Sequence, residues 1–193
     1  MKKKLTKRQL QAKNTQEKIY NVAIELIEKK GFNNITVAEI CNTAGVSIGS
    51  FYNYFESKHS ILDKIFKVAD DFFLNVVANN LKGNTIQEQI VEYFHYYADF
   101  NADKGLDFVK QLYTVKNNLF ATKGRHMQIV LQDIIEKGQR NGDITTEMTS
   151  EEIVDYLFIS VRGAIYNWCL HDGAYDLSQF IDKYVERLIK SIS

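Results

Sequence analysis

The sequence predicts an all-α protein, on three observations. Its 193 residues include no proline, the residue that most often ends a helix, although average usage would supply about ten. Apolar residues recur at helical spacing along most of the chain, and no run with the alternation of a strand is long enough to propose a sheet. Four pairs with the capping-box spacing, or its Asn variant, mark helix starts: Asn14 with Glu17, Thr36 with Glu39, Thr85 with Glu88 and Thr149 with Glu152.

The first three predicted helices are short or clearly ended. The first ends near Lys30, where two lysines precede Gly31 and Phe32, and it begins either at the Asn14 signal or earlier, within residues 6–13. The second covers residues 37–44. Gly45 ends it, and Ser47 caps a third helix from Ile48 to about Tyr54. Two short helices joined by a glycine-containing turn are a candidate helix-turn-helix.

From Ser57 onward the sequence pattern predicts longer helices. Ser57 caps an apolar stripe that reaches about Lys82 and includes Val76 and Val77. Five further helices follow, at about residues 86–101, 104–118, 123–140, 151–171 and 177–191. Glycine, asparagine and aspartate separate them, so each connection is a short polar turn.

Charge is unevenly distributed along the chain. Residues 1–60 carry ten Lys and Arg against five Asp and Glu, whereas residues 61–193 carry fourteen against nineteen. A basic N-terminal part on an acidic body indicates contact with a polyanion at one end. Residues 1–13 hold six cations and no acid, which fits either a direct contact or a solvated tail.

The sequence lacks the patterns that several classes of function require. Cys41 and Cys169 form no CxxC pair, and the four histidines form no ligand-spaced cluster, so we expect no disulfide, metal or cofactor. No run of 18 apolar residues exists, which predicts a cytoplasmic protein without a membrane partner. Residues 45–49 match the G-x-S-x-G pattern of hydrolases, but that motif needs a strand before it. We therefore interpret Ser47 as a helix cap and expect no catalytic residue.

The third helix has the character of a recognition helix. Such a helix carries short or polar side chains on its exposed face and an apolar anchor on the other. Phe51 and Phe55 can supply the anchor. The exposed face would consist of Ile48, Gly49, Ser50, Tyr52 and Asn53. The alternative is that this aromatic-rich helix simply belongs to the core.

The residues from about 15 to 62 resemble the N-terminal DNA-binding domain of TetR-family transcriptional regulators. The match is carried by Thr36, Ile40, Ala44-Gly45-Val46-Ser47, Gly49, Phe51-Tyr52, Tyr54-Phe55, Lys58 and Ile61-Leu62, preceded by Ala23, Leu26 and Gly31-Phe32. The resemblance implies a homodimer with a three-helix helix-turn-helix domain, residues 1–58, and a ligand-binding and dimerisation domain of about six helices, residues 59–193.

The resemblance also assigns roles within the first domain. Thr36, Tyr52, Tyr54 and Lys58 would contact phosphates of double-stranded operator DNA. Ile48, Ser50 and Asn53 would approach bases, with Ser47 and Gly49 in the same DNA-binding segment. Cys41 stands where the family usually has alanine, so we expect it to be a packing residue.

The second domain supplies candidates for a ligand site and for an interface. Helices that cross at an angle can enclose an apolar cavity, and the candidate lining residues are Phe94, Tyr97, Phe108, Leu112, Tyr113 and Trp168. Arg162, Asn167 and His95 could fix a polar end of the ligand. The last two helices carry wide apolar faces, one with Ile153, Tyr156, Leu157, Val161, Ala164, Ile165 and Trp168, the other with Phe180, Ile181, Tyr184, Val185, Leu188 and Ile189. Core packing within one subunit is the alternative for both sets.

Together these features predict a ligand-responsive transcriptional regulator, more often a repressor than an activator. It would bind a palindromic operator as a homodimer and be released by a small apolar or amphipathic effector. One alternative is a nucleoid-associated or adaptor protein of the same fold that is controlled by a protein partner. An enzyme is a third possibility, which would need convergent titratable groups in the ligand region.

Overall fold

The computed structural model describes residues 6–113 and 118–193, and this part of the chain is helical, without a β-strand. The all-α prediction is therefore confirmed. The helices are α1 (Lys7–Lys30), α2 (Val37–Ala44), α3 (Ile48–Tyr52), α4 (Ser60–Phe72), α5 (Ala78–Asn80), α6 (Ile86–Ala102), α7 (Leu106–Leu112), α8 (His126–Asn141), α9 (Ser150–Leu170) and α10 (Leu177–Ile189). Short 3₁₀ helices cover Phe32–Asn34 and Asn118–Ala121.

Helix starts follow the capping signals, with one exception. Thr36, Thr85 and Thr149 each accept a hydrogen bond from the backbone N–H three residues on, as predicted. The signal at Asn14 is wrong, because α1 already begins at Lys7. Thr6 caps it: the Thr6 N–H donates to the Gln9 side chain at 2.9 Å and the Gln9 N–H donates to Thr6 Oγ1 at 3.3 Å. Because Thr6 caps α1 and the helix begins at Lys7, Asn14 lies inside the helix and not at its start.

The chain divides into two compact units, one ending at Ile65 and the other beginning at Phe66, so that α4 contributes residues to both. In the first unit the apolar side chains of α1 to α3 and the start of α4 form a core. Ile19, Ile27, Ile40, Phe51 and Ile61 are all fully buried in it. Cys41 is buried too, and burial raises the pKa of its thiol. The sequence had placed the domain boundary at residues 58 and 59.

The second unit is built around an aromatic core. The rings of Phe73, Tyr93, Phe94, Tyr97 and Phe158 contact one another with centroid separations of 5.0–6.3 Å. Tyr93 is fully buried and donates its hydroxyl to the backbone oxygen of Met127 at 2.7 Å. The Tyr93 hydroxyl is therefore satisfied although it is fully buried among these rings.

The helix predicted to run without interruption to Lys82 contains a π-helical turn at Phe73–Val77, between α4 and α5. Phe73 and Val77 are both fully buried, whereas Leu74 and Val76 are 40% exposed. In the wider π-helical turn, Phe73 and Val77 lie on the buried side, and Val76 lies on the exposed side. The inclusion of Val76 in the buried stripe was therefore wrong.

The apolar face assigned to an interface on the penultimate helix is also corrected. Most of it packs inside the second unit, where Ile153, Leu157, Val161, Ala164, Ile165 and Trp168 are at most 7% exposed. The exposed apolar side chains of α9 are different ones: Ile159, Tyr166 and Leu170 are 69%, 49% and 63% exposed. On α10, Ile181, Val185 and Ile189 are likewise buried, and Phe180 is 36% exposed.

Among the residues described, no helix is both long enough and apolar enough to cross a membrane.

Candidate DNA-binding and effector sites

The turn between α2 and α3 is fixed by a glycine and a serine. Gly45 adopts the left-handed conformation, with φ 63°, and ends α2. Ser47 then caps α3, because the Ser50 N–H donates to Ser47 Oγ at 3.0 Å. A helix, not a strand, precedes the G-x-S-x-G segment. The structure thus removes the context that a hydrolase elbow requires and confirms Ser47 as a cap.

The side chains of α3 divide between a buried anchor and an exposed face. Phe51 is fully buried and its ring lies 5.4 Å from that of Phe55, which is 3% exposed. Ile48 and Tyr52 are 50% and 54% exposed, and Ser47, Gly49 and Asn53 are exposed as well. Ser50 is half-buried, with its hydroxyl 3.2 Å from that of Ser47. The structure therefore brings the sequence-predicted residues of this helix to one surface.

Gly49 has no steric reason of its own to be glycine. A Cβ built at this position would meet Ser47 Oγ at 3.8 Å, which is ordinary van der Waals contact. Its backbone conformation is that of an ordinary α-helix. The missing side chain instead leaves the backbone at the start of α3 open to close approach by another molecule.

The remaining residues for which DNA contacts are predicted lie at the start of α2 and in the segment after α3. Thr36 is exposed and its hydroxyl oxygen accepts from the Glu39 N–H at 3.1 Å, at the N-terminus of α2. Tyr54 is half-buried after α3. Ser57 gives a weak cap before α4: Ser57 Oγ accepts from the Ser60 N–H at 3.4 Å, and the Ser57 N–H donates to Ser60 Oγ at 3.2 Å.

Lys58 has partners inside its own unit. Its Nζ donates to the backbone oxygens of Phe32, at 2.7 Å, and Ile35, at 2.9 Å. The same ammonium lies 4.4 Å from the centroid of the Phe32 ring, and partial burial lowers the pKa of Lys58. Two of its three N–H donors are thus used to hold the segment between α1 and α2, which leaves one for an external acceptor.

The placement of two groups of cations in this unit was not predicted. The exposed Lys18 of α1 reaches the helix-turn-helix, since its Nζ lies 3.8 Å from a Cβ built at Gly45. The first turn of α1 contains no acid, and Lys7 and Arg8 stand at its positive end. Like charge at a helix N-terminus is unfavourable without a bound anion. Packing of α1 on α2, rather than any local pattern, brings Lys18 to this place.

The candidate ligand residues fall into separate groups. Phe94 and Tyr97 belong to the aromatic core, and the Tyr97 hydroxyl lies 3.4 Å from that of Tyr113. Tyr113 in turn packs on Phe120, with ring centroids 4.7 Å apart. Burial, aided by the neighbouring Tyr97, raises the pKa of Tyr113 well above its usual range. Phe108 and Leu112 are buried on α7.

Trp168 has its own local partners. Its indole N–H donates to the Tyr175 backbone oxygen at 2.9 Å, and a Cβ built at Gly173 would lie 3.3 Å from the indole ring. These contacts fix the turn between α9 and α10. Trp168 therefore fulfils a structural role that the sequence did not distinguish from ligand binding.

The three polar candidates differ in how fully they are paired. His95 Nδ1 lies 3.0 Å from Asp182 and His95 Nε2 lies 3.4 Å from Asp99. The Asn167 side-chain amide donates to the Tyr175 hydroxyl at 3.1 Å. Arg162 donates through Nη1 to the Phe120 backbone oxygen at 3.0 Å, while its Nε and Nη2 are buried and have no acceptor among the described residues.

A groove of about 1070 Å³ lies beside α6 and α10. Its charged lining residues are Lys82, Glu88, Glu92, Asp182, Lys183, Glu186, Arg187 and Lys190. Mixed charges of this kind do not suit an apolar ligand, so the groove differs from the aromatic region above in chemistry as well as in residues. Among the residues described, no group of three or more His, Cys, Asp or Glu could hold a metal ion.

Comparisons with known proteins match both parts of the chain. Residues 19–65 match the family model described as "Bacterial regulatory proteins, tetR family", and residues 100–191 match that described as "YsiA-like protein, C-terminal region". The fatty acid metabolism regulator protein of Bacillus subtilis (strain 168) is 24% identical over 181 residues, which are 90% of this chain and 93% of that protein.

Solved structures show the same fold. The fatty acid degradation regulator FadR from Bacillus halodurans superposes with a TM-score of 0.73 at 20% identity, covering 97% of this chain and 96% of that one. FadR from Bacillus subtilis in complex with stearoyl-CoA gives 0.73 at 22% identity, covering 92% and 99%.

Proposed function

The chain belongs to the TetR family of bacterial regulatory proteins, and we propose that it represses transcription as a homodimer on a palindromic operator until a long-chain acyl ligand, such as an acyl-CoA, releases it. Membership makes the chain a ligand-responsive transcriptional regulator that binds operator DNA and a small molecule. The named relatives are regulators, not enzymes, and they give no support to a nucleoid-associated or adaptor role.

The observation that carries the DNA-binding proposal is the two-sided character of α3. Phe51 holds the helix in its unit, so its exposed face can enter the major groove as a rigid surface. We assign base contacts to Ile48, Ser50 and Asn53. Thr36, Ser47, Gly49, Tyr52 and Tyr54 would contact the phosphate backbone. For Lys58 we propose a positioning role through Phe32 and Ile35, with its free N–H available to a phosphate.

The dimer proposal rests on the exposed stripe of α9. Ile159, Gly163, Tyr166 and Leu170 follow the spacing of one helical face, and a Cβ built at Gly163 would meet nothing within 4 Å. A second copy of the chain can pack against this stripe in a two-fold arrangement, and the exposed Phe180 of α10 would offer a further apolar contact. Two recognition helices would then meet half-sites about 34 Å apart, one turn of DNA.

The effector proposal rests on the relatives and on the interior of the second unit. The Bacillus subtilis relative acts in fatty acid metabolism, and a FadR structure holds stearoyl-CoA. An acyl chain needs apolar walls, which Phe94, Tyr97 and Phe158 can offer if the aromatic core opens. The ligand must bind the DNA-released state more tightly than the DNA-bound one, because differential affinity alone shifts the population.

The proposal is tested by measuring affinity for the protein's own promoter and for a random duplex by fluorescence anisotropy. We expect preference for the promoter and a loss of about 10³–10⁵ in affinity between about 50 and 200 mM salt, as six to ten phosphate contacts would give. Lauroyl-CoA should release the promoter, whereas free coenzyme A should not. Equal affinity for both duplexes at every salt concentration would refute the operator, and promoter binding that ignores every acyl-CoA would refute the effector.

A further inference from the structure

The guanidinium of Arg162, on α9, has a hydrogen-bond partner at one nitrogen and none at the other two among the described residues. Its Nη1 donates to the backbone oxygen of Phe120 at 3.0 Å. Its Nε and Nη2 are buried and have no hydrogen-bond partner among the residues described. Among the side chains that the structure describes, Arg162 is the one whose buried donor nitrogens lack a hydrogen-bond partner.

This arrangement is energetically unfavourable unless something completes it. A guanidinium stays protonated in proteins, so its buried N–H groups cannot be neutralised by losing a proton. The rings of Phe120 and Phe158 lie 4.7 and 4.8 Å from the guanidinium carbon and stabilise the charge through their faces. Rings nevertheless offer no lone pair to an N–H, so the N–H groups of both Nε and Nη2 remain unsatisfied.

The empty edge has a specific shape. The Nε–H bond and one Nη2–H bond lie on the same edge of the planar guanidinium and point in nearly parallel directions. Two oxygens of a carboxylate or phosphate can accept from both at once. The rings of Phe120 and Phe158 both contact the guanidinium and limit the space in which this fork can move. A single carbonyl oxygen would satisfy only part of such a fork, whereas a two-oxygen anion satisfies all of it.

The surroundings match an amphipathic anion. Phe158 also contacts Phe94 and Tyr97, with ring centroids 5.5 Å away in each case, so the guanidinium borders the aromatic core. Tyr113, whose hydroxyl lies 3.4 Å from that of Tyr97, contacts the other flanking ring, Phe120. A fatty-acid carboxylate at Arg162 would therefore place its hydrocarbon chain next to apolar walls.

We propose that the Nε–Nη2 edge of Arg162 binds the oxyanion of the effector. The inference rests on the proposed function for the acyl character of that effector. Two sources share the required chemistry: the carboxylate of a free long-chain acid and a phosphate of its CoA thioester. Either one replaces the missing acceptors and pairs the buried charge.

The test uses the full-length protein and isothermal titration with three probes of equal chain length: laurate, lauroyl-CoA and the uncharged dodecan-1-ol. Arg162→Gln removes the charge and the fork, and Arg162→Lys keeps the charge but lacks the fork. Arg140→Gln is the matched control, because Arg140 is exposed on α8 and pairs only loosely with Glu136, at 3.8 Å. Circular dichroism checks that each variant is folded.

We expect both Arg162 variants to lose about 10- to 100-fold in affinity for the anionic probe that binds wild type, as loss of charge-assisted hydrogen bonds predicts. Arg140→Gln should bind like wild type, and dodecan-1-ol should not distinguish the variants. Binding of laurate alone identifies the carboxylate as the partner, and binding of lauroyl-CoA alone identifies the phosphate. Because Arg162→Lys retains the charge, it keeps the test valid if Arg162→Gln fails to fold.

The outcomes separate this inference from the proposed function. If the anionic probes bind wild type and both Arg162 variants equally well, the inference is wrong, while release of promoter DNA by lauroyl-CoA would leave the function standing. If binding depends on Arg162 but no probe releases DNA, the function is wrong and the inference stands. If neither anionic probe binds wild type, both are rejected.

Discussion

Asp70→Asn should destabilise the second unit far more than a typical surface substitution. Asp70, on α4, accepts from Arg125 Nε and from the Met127 backbone N–H, each at 3.2 Å. The side chains of Arg125 and Asp70 are only 7% and 17% exposed. Asparagine keeps the size and can still accept from Met127, so the substitution removes the charge and leaves the buried guanidinium uncompensated.

The expected cost can be derived from burial. Removing one partner of a buried ion pair costs about 3–5 kcal/mol, and the partial exposure of Asp70 favours the lower end, about 3 kcal/mol. For a chain of this size about 1 kcal/mol corresponds to about 2–4 °C, which gives a decrease in Tm of about 6–12 °C. Thermal unfolding followed by circular dichroism, at constant protein concentration, measures the change.

Two further variants make this prediction refutable. Asp172→Asn is the control, because Asp172 is 82% exposed in its ion pair with Lys110, and solvent screening of this pair means that the substitution should leave Tm almost unchanged. The double replacement Asp70→Leu with Arg125→Met should recover most of the lost stability, since it removes the unpaired charge. A Tm for Asp70→Asn equal to that of Asp172→Asn would refute the reasoning, as would a double variant that is no more stable than the single one.

Three further predictions concern the DNA surface, the dimer and a buried thiol. Asn53→Ala should change the preferred operator bases in a binding-site selection, with about 1–3 kcal/mol lost at the contacted pair; an unchanged selection would remove Asn53 from the base readers. Ile159→Glu should give monomers in sedimentation equilibrium with an unchanged helical spectrum, because it buries a charge in the two-fold contact; a persistent dimer would place the interface elsewhere. Burial raises the pKa of Cys169 from 9.0 to about 11, so the folded state favours the neutral thiol, and the associated stability should be present below pH 9.0 and decrease as the pH rises toward 11. Urea unfolding of wild type and Cys169→Ala across this range measures that loss, and parallel pH profiles for the two proteins would contradict it.

The sequence predicted most helices because their ends depend on local chemistry. The Thr36, Thr85 and Thr149 caps each satisfy a backbone N–H three residues away, and such short-range pairs are visible in the sequence. The true start of α1 was visible too, since Thr6 and Gln9 have capping-box spacing with glutamine in place of glutamate. The π-helical turn after α4 was not visible in the sequence, because the apolar stripe there is continuous and fits both α-helical and π-helical spacing.

Features that depend on tertiary packing could not be predicted in the same way. Helical periodicity shows that a face of α9 is apolar but not what covers it, so Leu157 and Val161, which pack inside the unit, were not separated from an interface. The exposed stripe of α9 that includes Ile159 is narrower than the buried face of this helix, and it was not predicted. Likewise, the phosphate contact expected of Lys58 stays a prediction, and its bonds to the carbonyl oxygens of Phe32 and Ile35 were not predicted because those residues lie more than twenty positions earlier.

The contacts of Phe120 connect Arg162 with Arg125, two of the arginines of the second unit, and suggest how a ligand would be sensed. Phe120 lies under the Arg162 guanidinium and packs edge-on against Phe66, at 6.2 Å. The Phe66 ring in turn lies 4.8 Å from the Arg125 guanidinium, whose ion pair with Asp70 fastens α4 to the start of α8. An anion that pairs with Arg162 changes the balance of forces on Phe120, because the guanidinium no longer depends on that ring for its charge. Phe120 contacts Phe66 of α4, the helix that contributes residues to both units, so a shift of Phe120 has a direct physical route to α4.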